Sequence, residues 1–370
     1  MRTLRHNGLV LTFAAAAALL TLPVLAQAKP AATQPIVATA EMATLSPGAT
    51  LRDKIVKPAP VHEESDYTKN MLEALYEKAR GANPSLKKRE FILAYHDKAV
   101  AGDVDAGYYF GAARMIEWGI GAGPKKEVEG YIGAAAKAGK PEALRDYGLL
   151  AFYGIGVPES NENAFTYAKK SADAGLPSGQ ALAAEFLQAG LGTKQDLVAA
   201  AALDQKAADA GDLIACLNYA LILMSTRNGH VPDQVASSAY LQKAAAAGDD
   251  RALDRLGLML AFGDGVKQDE ALGYKYLDSA ALMGHPDAQR RVGISYLNGS
   301  HGHPQSDQTG ALYLESAATN GDSEAQIEWG LINLDGERGI AQNHDEGMKW
   351  ISKAAKQGNP RATEEMRKRL

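Results

Sequence analysis

The stretch AGDDRALDRLGLMLAFGDGVKQD, Ala247 to Asp269, decides how the chain is read. Its second half, GDGVKQD, sets two glycines around an acid and follows them with another, which in isolation suggests a ligand loop. A phosphate loop needs G-x-x-x-x-G-K-[ST], and a dinucleotide loop needs G-x-G-x-x-G after a strand; neither pattern is present. A calcium loop needs alternating acids and a distal glutamate, also missing. The same position reads GIGVPES at Gly154 to Ser160 and GLGTKQD at Gly190 to Asp196. The first acid is not kept from one copy to the next, so the glycines are punctuation rather than a binding site.

The half before the glycines is one copy of a recurring unit. Alanine-rich runs close on Gly102, Gly139, Gly175, Gly211, Gly248, Gly284, Gly321 and Gly358, always 36 or 37 residues apart. A period this constant predicts stacked repeats. Four residues after each glycine stands a small residue: Ala106, Ala143, Gly179, Ala215, Ala252, Ala288, Ala325 and Ala362. Five further on it is Gly111, Gly148, Ala184, Ala220, Gly257, Gly293 and Gly330, each just after a position that is mostly large (Phe110, Tyr147, Leu256, Trp329). Small beside large at a fixed register is what interdigitating helices require.

Each unit therefore reads helix, turn, helix. N-cap candidates Asp103, Ser178, Asp212, Asp249 and Asp322 open the first helix. It ends at the pairs Gly119/Gly121, Gly154/Gly156, Gly190/Gly192 and Gly263/Gly265. The second helix carries a central aromatic: Tyr131, Tyr167, Tyr240, Tyr274, Tyr313 or Trp350.

At these residues the chain resembles the Sel-one-like repeat (SLR) family, relatives of the tetratricopeptide repeats. ALRDYGLLAFYGIGV (Ala143 to Val157), the stretch from Ala252 to Asp269, and AQRRVGISYLNG (Ala288 to Gly299) follow the family pattern closely. The resemblance covers about Asp103 to Gln357. It implies an all-α, right-handed superhelical solenoid of seven to eight hairpins whose usual work is to bind another protein, often in bacterial envelopes. MSTRNGHVPDQ (Met224 to Gln234) lacks the glycine pair and NGSHGHPQSDQ (Asn298 to Gln308) extends it, so both turns are expected to differ. Some members carry a disulfide in each repeat; a single cysteine, Cys216, excludes that here.

Outside the repeats, Met1 to Ala28 has Arg2 and Arg5 before an apolar stretch and ends in AQA, which predicts a secretory signal peptide cut after Ala28. Residues 29–66 are rich in proline and alanine and have no period, so a disordered leader is expected. Residues 67–102 read as an N-terminal helical cap, 103–358 as the solenoid and 359–370 as a charged capping helix. No later segment is apolar for about 18 residues, so no membrane span is expected in the mature chain. Localisation is expected to be periplasmic or secreted. A formal charge of −5 with scattered basic residues disfavours nucleic acid. Cys216, within LIACLNYALILM, reads as a core thiol.

No G-x-S-x-G or H-E-x-x-H motif is present, and no catalytic residue, cofactor site or metal site is assigned. His301 and His303 form a sparse imidazole pair, read as part of a polar turn because a closed zinc site needs four ligands. Asn298-Gly299-Ser300 matches a glycosylation sequon but overlaps the repeat turn. The resemblance implies that the first helices line a concave side. One register there reads Tyr109, Asp146, Leu182, Asn218, Arg255, Arg291 and Glu328, and all of these but Leu182 are the candidate contacts to a protein partner, an envelope adaptor's target or, alternatively, a toxic enzyme held by an immunity protein.

Overall fold

The computed structural model describes residues 65–118, 120–121, 123–225 and 232–369, together with the backbone of a short antiparallel pair, Leu4–His6 with Leu9–Leu11. The expected signal peptide otherwise lies outside the described residues, as do the leader before residue 65, Gly119 and the centre of the turn at 226–231. Seventeen helices follow among the described residues, in two compact units divided between Val231 and Pro232.

In the first unit these are α1 (Ser65–Ala82), α2 (Lys88–Val100), α3 (Val104–Met115), α4 (Lys125–Lys137), α5 (Pro141–Tyr153), α6 (Asn161–Asp173), α7 (Pro177–Ala189), α8 (Leu197–Asp209) and α9 (Leu213–Leu223). The second holds α10 (Gln234–Ala246), α11 (Asp250–Phe262), α12 (Glu270–Met283), α13 (Pro286–Asn298), α14 (Asp307–Thr319), α15 (Ser323–Asp335), α16 (His344–Lys356) and α17 (Pro360–Arg369). From α3 onward the odd-numbered helices are the first of each hairpin.

The hairpin α11–α12 shows how the opening stretch folds. Asp249 accepts the Arg251 and Ala252 amides at 3.0 Å, satisfying donors that a helix start leaves open. At the other end Gly263 takes φ 74° and its amide donates to the Met259 carbonyl. Gln268 Nε2 donates to the Ala261 carbonyl at 2.9 Å, and Asp269 caps α12 through the Leu272 amide. So the QD of GDGVKQD fastens both helix ends. Gly265 serves packing: a Cβ there would lie 2.3 Å from the Gln234 Cβ at the start of α10, in the preceding repeat. Gly192 meets the Asn161 carbonyl at the start of α6 in the same way, with a Cβ at 2.0 Å.

Within each hairpin the small register brings two backbones together. A Cβ on Gly257 would stand 2.9 Å from the Gly273 carbonyl oxygen, and one on Gly148 3.1 Å from that of Ala164. Around these crossings Ile132, Leu150, Phe186, Leu241 and Leu277 are fully buried, each such side chain contributing about 1.5–3 kcal/mol. Cys216 is buried, its thiol facing the Ala208 carbonyl at 3.6 Å.

The structure departs from the expected helix ends in two places, and two further turns close without a second glycine. Ser178 is not an N-cap: Pro177 stands at the first helical position with Leu176 before it, because proline's fixed φ suits that place. Gly121 has no positive φ; Glu117, at φ 58°, turns the chain after α3 instead. After α13 and α15 the second glycine of the pair is replaced by His301 (φ 54°) and Arg338 (φ 55°), two residues after Gly299 and Gly336. Each sends its side chain to the first residue of a second helix in the preceding repeat, His301 to Glu270 at 2.6 Å and Arg338 to Asp307 at 3.0 Å. Where glycine allows backbone contact, these two residues bridge the gap with a polar side-chain contact.

Candidate protein-binding surface

Helix α1 does not belong to the repeat register. Its middle packs on α2 and α3, with Leu72 and Tyr76 beside Phe91, Ile92, Phe110 and Trp118, and Trp118 Nε1 donating to Glu73 at 2.8 Å. An 18-residue helix is about 27 Å long, and the first turn of α1 reaches first helices several repeats away. Tyr67 Oη donates to Asp212 Oδ2 at the start of α9, at 2.8 Å. Thr68 Oγ1 donates to Asp146 Oδ2 on α5 at 3.3 Å and accepts from Arg145 Nη2 at 3.1 Å.

Those contacts complete a buried network. Arg145 pairs with Asp146 at 2.7 Å and donates to Ser178 Oγ on α7 at 2.9 Å. Tyr108 Oη, from α3, donates to Asp146 Oδ2 at 2.8 Å. The Arg145 guanidinium lies 5.1 Å from the Tyr67 ring centre. Tyr67 also lines a small cavity with Leu149, Ala181, Leu182 and Ile214.

Burial sets the electrostatics of this region. It pushes the Tyr67 and Tyr108 hydroxyls well above their usual range, and the adjacent Asp212 and Asp146 carboxylates push the same way. Burial opposes the Arg145 charge, but Asp146, Tyr108 and Tyr67 together offset it, so the guanidinium is held more firmly protonated than usual. The Asp212 carboxyl is raised by burial, with partial relief from the Ala215 amide and the Tyr67 hydroxyl. Asp204 on α8 is raised well above the carboxylate range by burial and by Asp212, against hydrogen bonds from Gln188 and Asn218.

The seven residues of the register divide accordingly. Two were expected to face solvent and do not: Asp146 is 0% exposed and Leu182 is buried, because the first turn of α1 lies over them. Tyr109 is half-buried between Tyr95 and Lys140, and Asn218 is half-buried beside Asp204. In the second unit Arg255 is exposed, Arg291 pairs with Asp254 at 2.8 Å, and Glu328 pairs with Arg361 of α17 at 2.7 Å. Sequence reasoning missed Tyr67, Thr68 and Arg145, which lie outside the chosen register, and it took Ser178 for a cap rather than a partner of Arg145.

The two histidines hold separate carboxylates. His301 stacks on Tyr274 at 4.2 Å and bonds Glu270, whereas His303 is 2.9 Å from Asp278. Among the described residues no group of three or more His, Cys, Asp or Glu side chains is placed to hold a metal ion. None of the described helices is long and apolar enough to cross a membrane.

Tandem α/α hairpins in a fixed register define a helical-repeat protein of the binding-scaffold kind. The Sel1 repeat model matches residues 141–176, 177–212, 214–249, 250–285, 286–322 and 323–359, more than half of the chain, which therefore belongs to the Sel1 repeat family. Sel1 repeats form a protein-interaction scaffold and are generally non-catalytic. A Sel1 repeat protein from Oxalobacter formigenes is 27% identical, with TM-score 0.60 over 69% of this chain and 99% of that one. A protective antigen present in uropathogenic Escherichia coli strains, displaying an SLR fold, is 24% identical with TM-score 0.59 over 73% of this chain. The chain spans 57% of that antigen's length, and the likeness concerns the fold. An immunity protein from Pseudomonas aeruginosa is 18% identical, with TM-score 0.41 over 60% of this chain and 82% of that one, too distant a likeness to bear on function. No curated protein matches the chain.

Proposed function

We propose that the protein is an exported, non-catalytic adaptor of the bacterial cell envelope that binds a partner protein on the first-helix face of its second unit. The observation that carries this reading is the charged register on α11, α13 and α15. Arg255 is exposed to solvent, and Arg291 and Glu328 occupy the same register one and two repeats further on. Arg291 is half-buried and oriented by the buried Asp254, whereas the Glu328–Arg361 pair is exposed. Exposed pairs typically add about 0–1 kcal/mol, so exchanging this one for contacts to a partner costs little. The planar, multidentate guanidinium of Arg255 is well suited to an interface.

Export rests on the sequence of residues 1–28, and periplasmic or secreted localisation follows from it. The test is capture from envelope extracts by the full chain and by Arg255→Glu and Glu328→Lys variants that keep the parent melting temperature. Loss of one specific partner on charge reversal supports the reading. Retention of every specific partner by both variants contradicts it. The immunity role has no observation in its favour beyond the shared repeat class, and the adaptor reading is preferred.

A further inference from the structure

We propose that the first turn of α1 is an internal ligand: Tyr67 and Thr68 occupy a site on the first helices of the first unit, and a partner protein takes that site by presenting an aromatic hydroxyl followed by an aliphatic hydroxyl at a helix start. This goes beyond the reading of the second unit, does not depend on it, and states the chemistry of the occupant.

Two kinds of contact hold α1. Its middle is anchored by apolar packing of Leu72 and Tyr76 against α2 and α3. Its first turn is held by directional polar contacts to side chains from separate repeats. Asp212 uses one oxygen to cap α9 through the Ala215 amide at 2.9 Å and the other to receive the Tyr67 hydroxyl at 2.8 Å. Thr68 accepts from Arg145 and donates to Asp146, a dual role that a hydroxyl fills and a methyl cannot. The Tyr67 ring meanwhile lies against the Arg145 guanidinium and beside Leu149, Leu182 and Ile214. An aromatic ring over a guanidinium adds a cation–π contact, and hydrogen bonds to charged groups are the stronger and more directional ones.

The repeats supply every group that recognises this turn, while the turn itself belongs to no repeat. When it leaves, Arg145, Asp146 and Asp212 keep their bonds to Ser178, Tyr108 and the Ala215 amide, so the contacts to be replaced are those made by the two hydroxyls and the Tyr67 ring. Tethering gives the internal segment an effective concentration in roughly the millimolar range, and a competitor must exceed that advantage.

The experiment places a specific protease site in the exposed 83–85 connection of the full chain and cleaves it, leaving α1 bound without a covalent link. A labelled synthetic peptide of residues 63–82 is then added and its anisotropy followed. The nicked chain is expected to exchange its own segment for the peptide, whereas the intact chain takes up none at the same concentration. Peptides carrying Tyr67→Phe or Thr68→Val are each expected to bind about tenfold or more weakly. In the nicked chain, Asp212→Ser keeps the cap on α9 but cannot reach Tyr67, and it is expected to abolish the difference between the parent peptide and the one carrying Tyr67→Phe.

The proposal is overturned if the nicked chain never exchanges, if its helical signal collapses as the segment leaves, or if the two substituted peptides bind as well as the parent. Should those results occur while Arg255→Glu still loses a specific envelope partner, the adaptor reading stands and the internal ligand falls. Hydroxyl-dependent exchange with no partner captured on the second unit supports the internal ligand and removes the adaptor reading of that unit.

Discussion

At the scale of single residues, the first unit concentrates charge in its interior. Asp146 and Arg145 satisfy one another inside a network that also needs Tyr108, Thr68 and Ser178. Asp146→Ala would leave Arg145 buried without its counter-ion, and a loss of about 3–5 kcal/mol in urea unfolding is expected. Asp204 and Asp212 act differently, since burial holds both carboxyls above their ordinary range. The folded state thus binds their protons more tightly than the unfolded chain does. Their effect on stability is most favourable below about pH 4, where both states are protonated, and declines as pH rises through the raised folded values. Asp204→Asn is expected to flatten that decline and to add on the order of 1 kcal/mol at about pH 7, as read from urea melts on either side of the decline. Equal slopes for variant and parent would contradict the assignment.

At the scale of elements, much was legible because the repeat writes its own rules many times over. The acids at Asp103, Asp212, Asp249 and Asp322 cap helices as expected, and Gly154, Gly190 and Gly263 close first helices in the left-handed region. What the period could not convey is the division of labour within a glycine pair. Both need the left-handed region, and Gly265 in addition supplies room against α10. Gly263→Ala is therefore expected to cost about 1 kcal/mol, and Gly265→Ala about 2–4 kcal/mol from strain and overlap together. Equal costs in thermal unfolding would refute the distinction. The glutamines before the second helices also escaped notice: Gln195, Gln268 and Gln342 each donate to a carbonyl near the end of the preceding helix. Each follows its closing glycine by five or six residues, a spacing that the sequence does display.

At the scale of the whole molecule, the repeats were visible in the sequence and the position of α1 was not. Repeats are encoded by contacts between neighbours in the chain, and these leave a period. The bond from Tyr67 to Asp212 joins residues 145 apart and occurs once, so no periodic signal marks it. For the same reason the candidate register identified a plausible face but not that Asp146 and Leu182 lie covered on it. The export reading predicts that the protein recovered from the periplasm or medium begins at Lys29, which intact mass measures directly; a full-length mass there would contradict it.

On the proposed function, the first-helix face of the second unit meets a partner protein. A photo-crosslinking amino acid placed at position 255 in living cells tests it most directly, with position 275 on the second helix α12 as the comparison. The account predicts one specific protein adduct from position 255 and none from 275. An adduct from position 275 alone would contradict it.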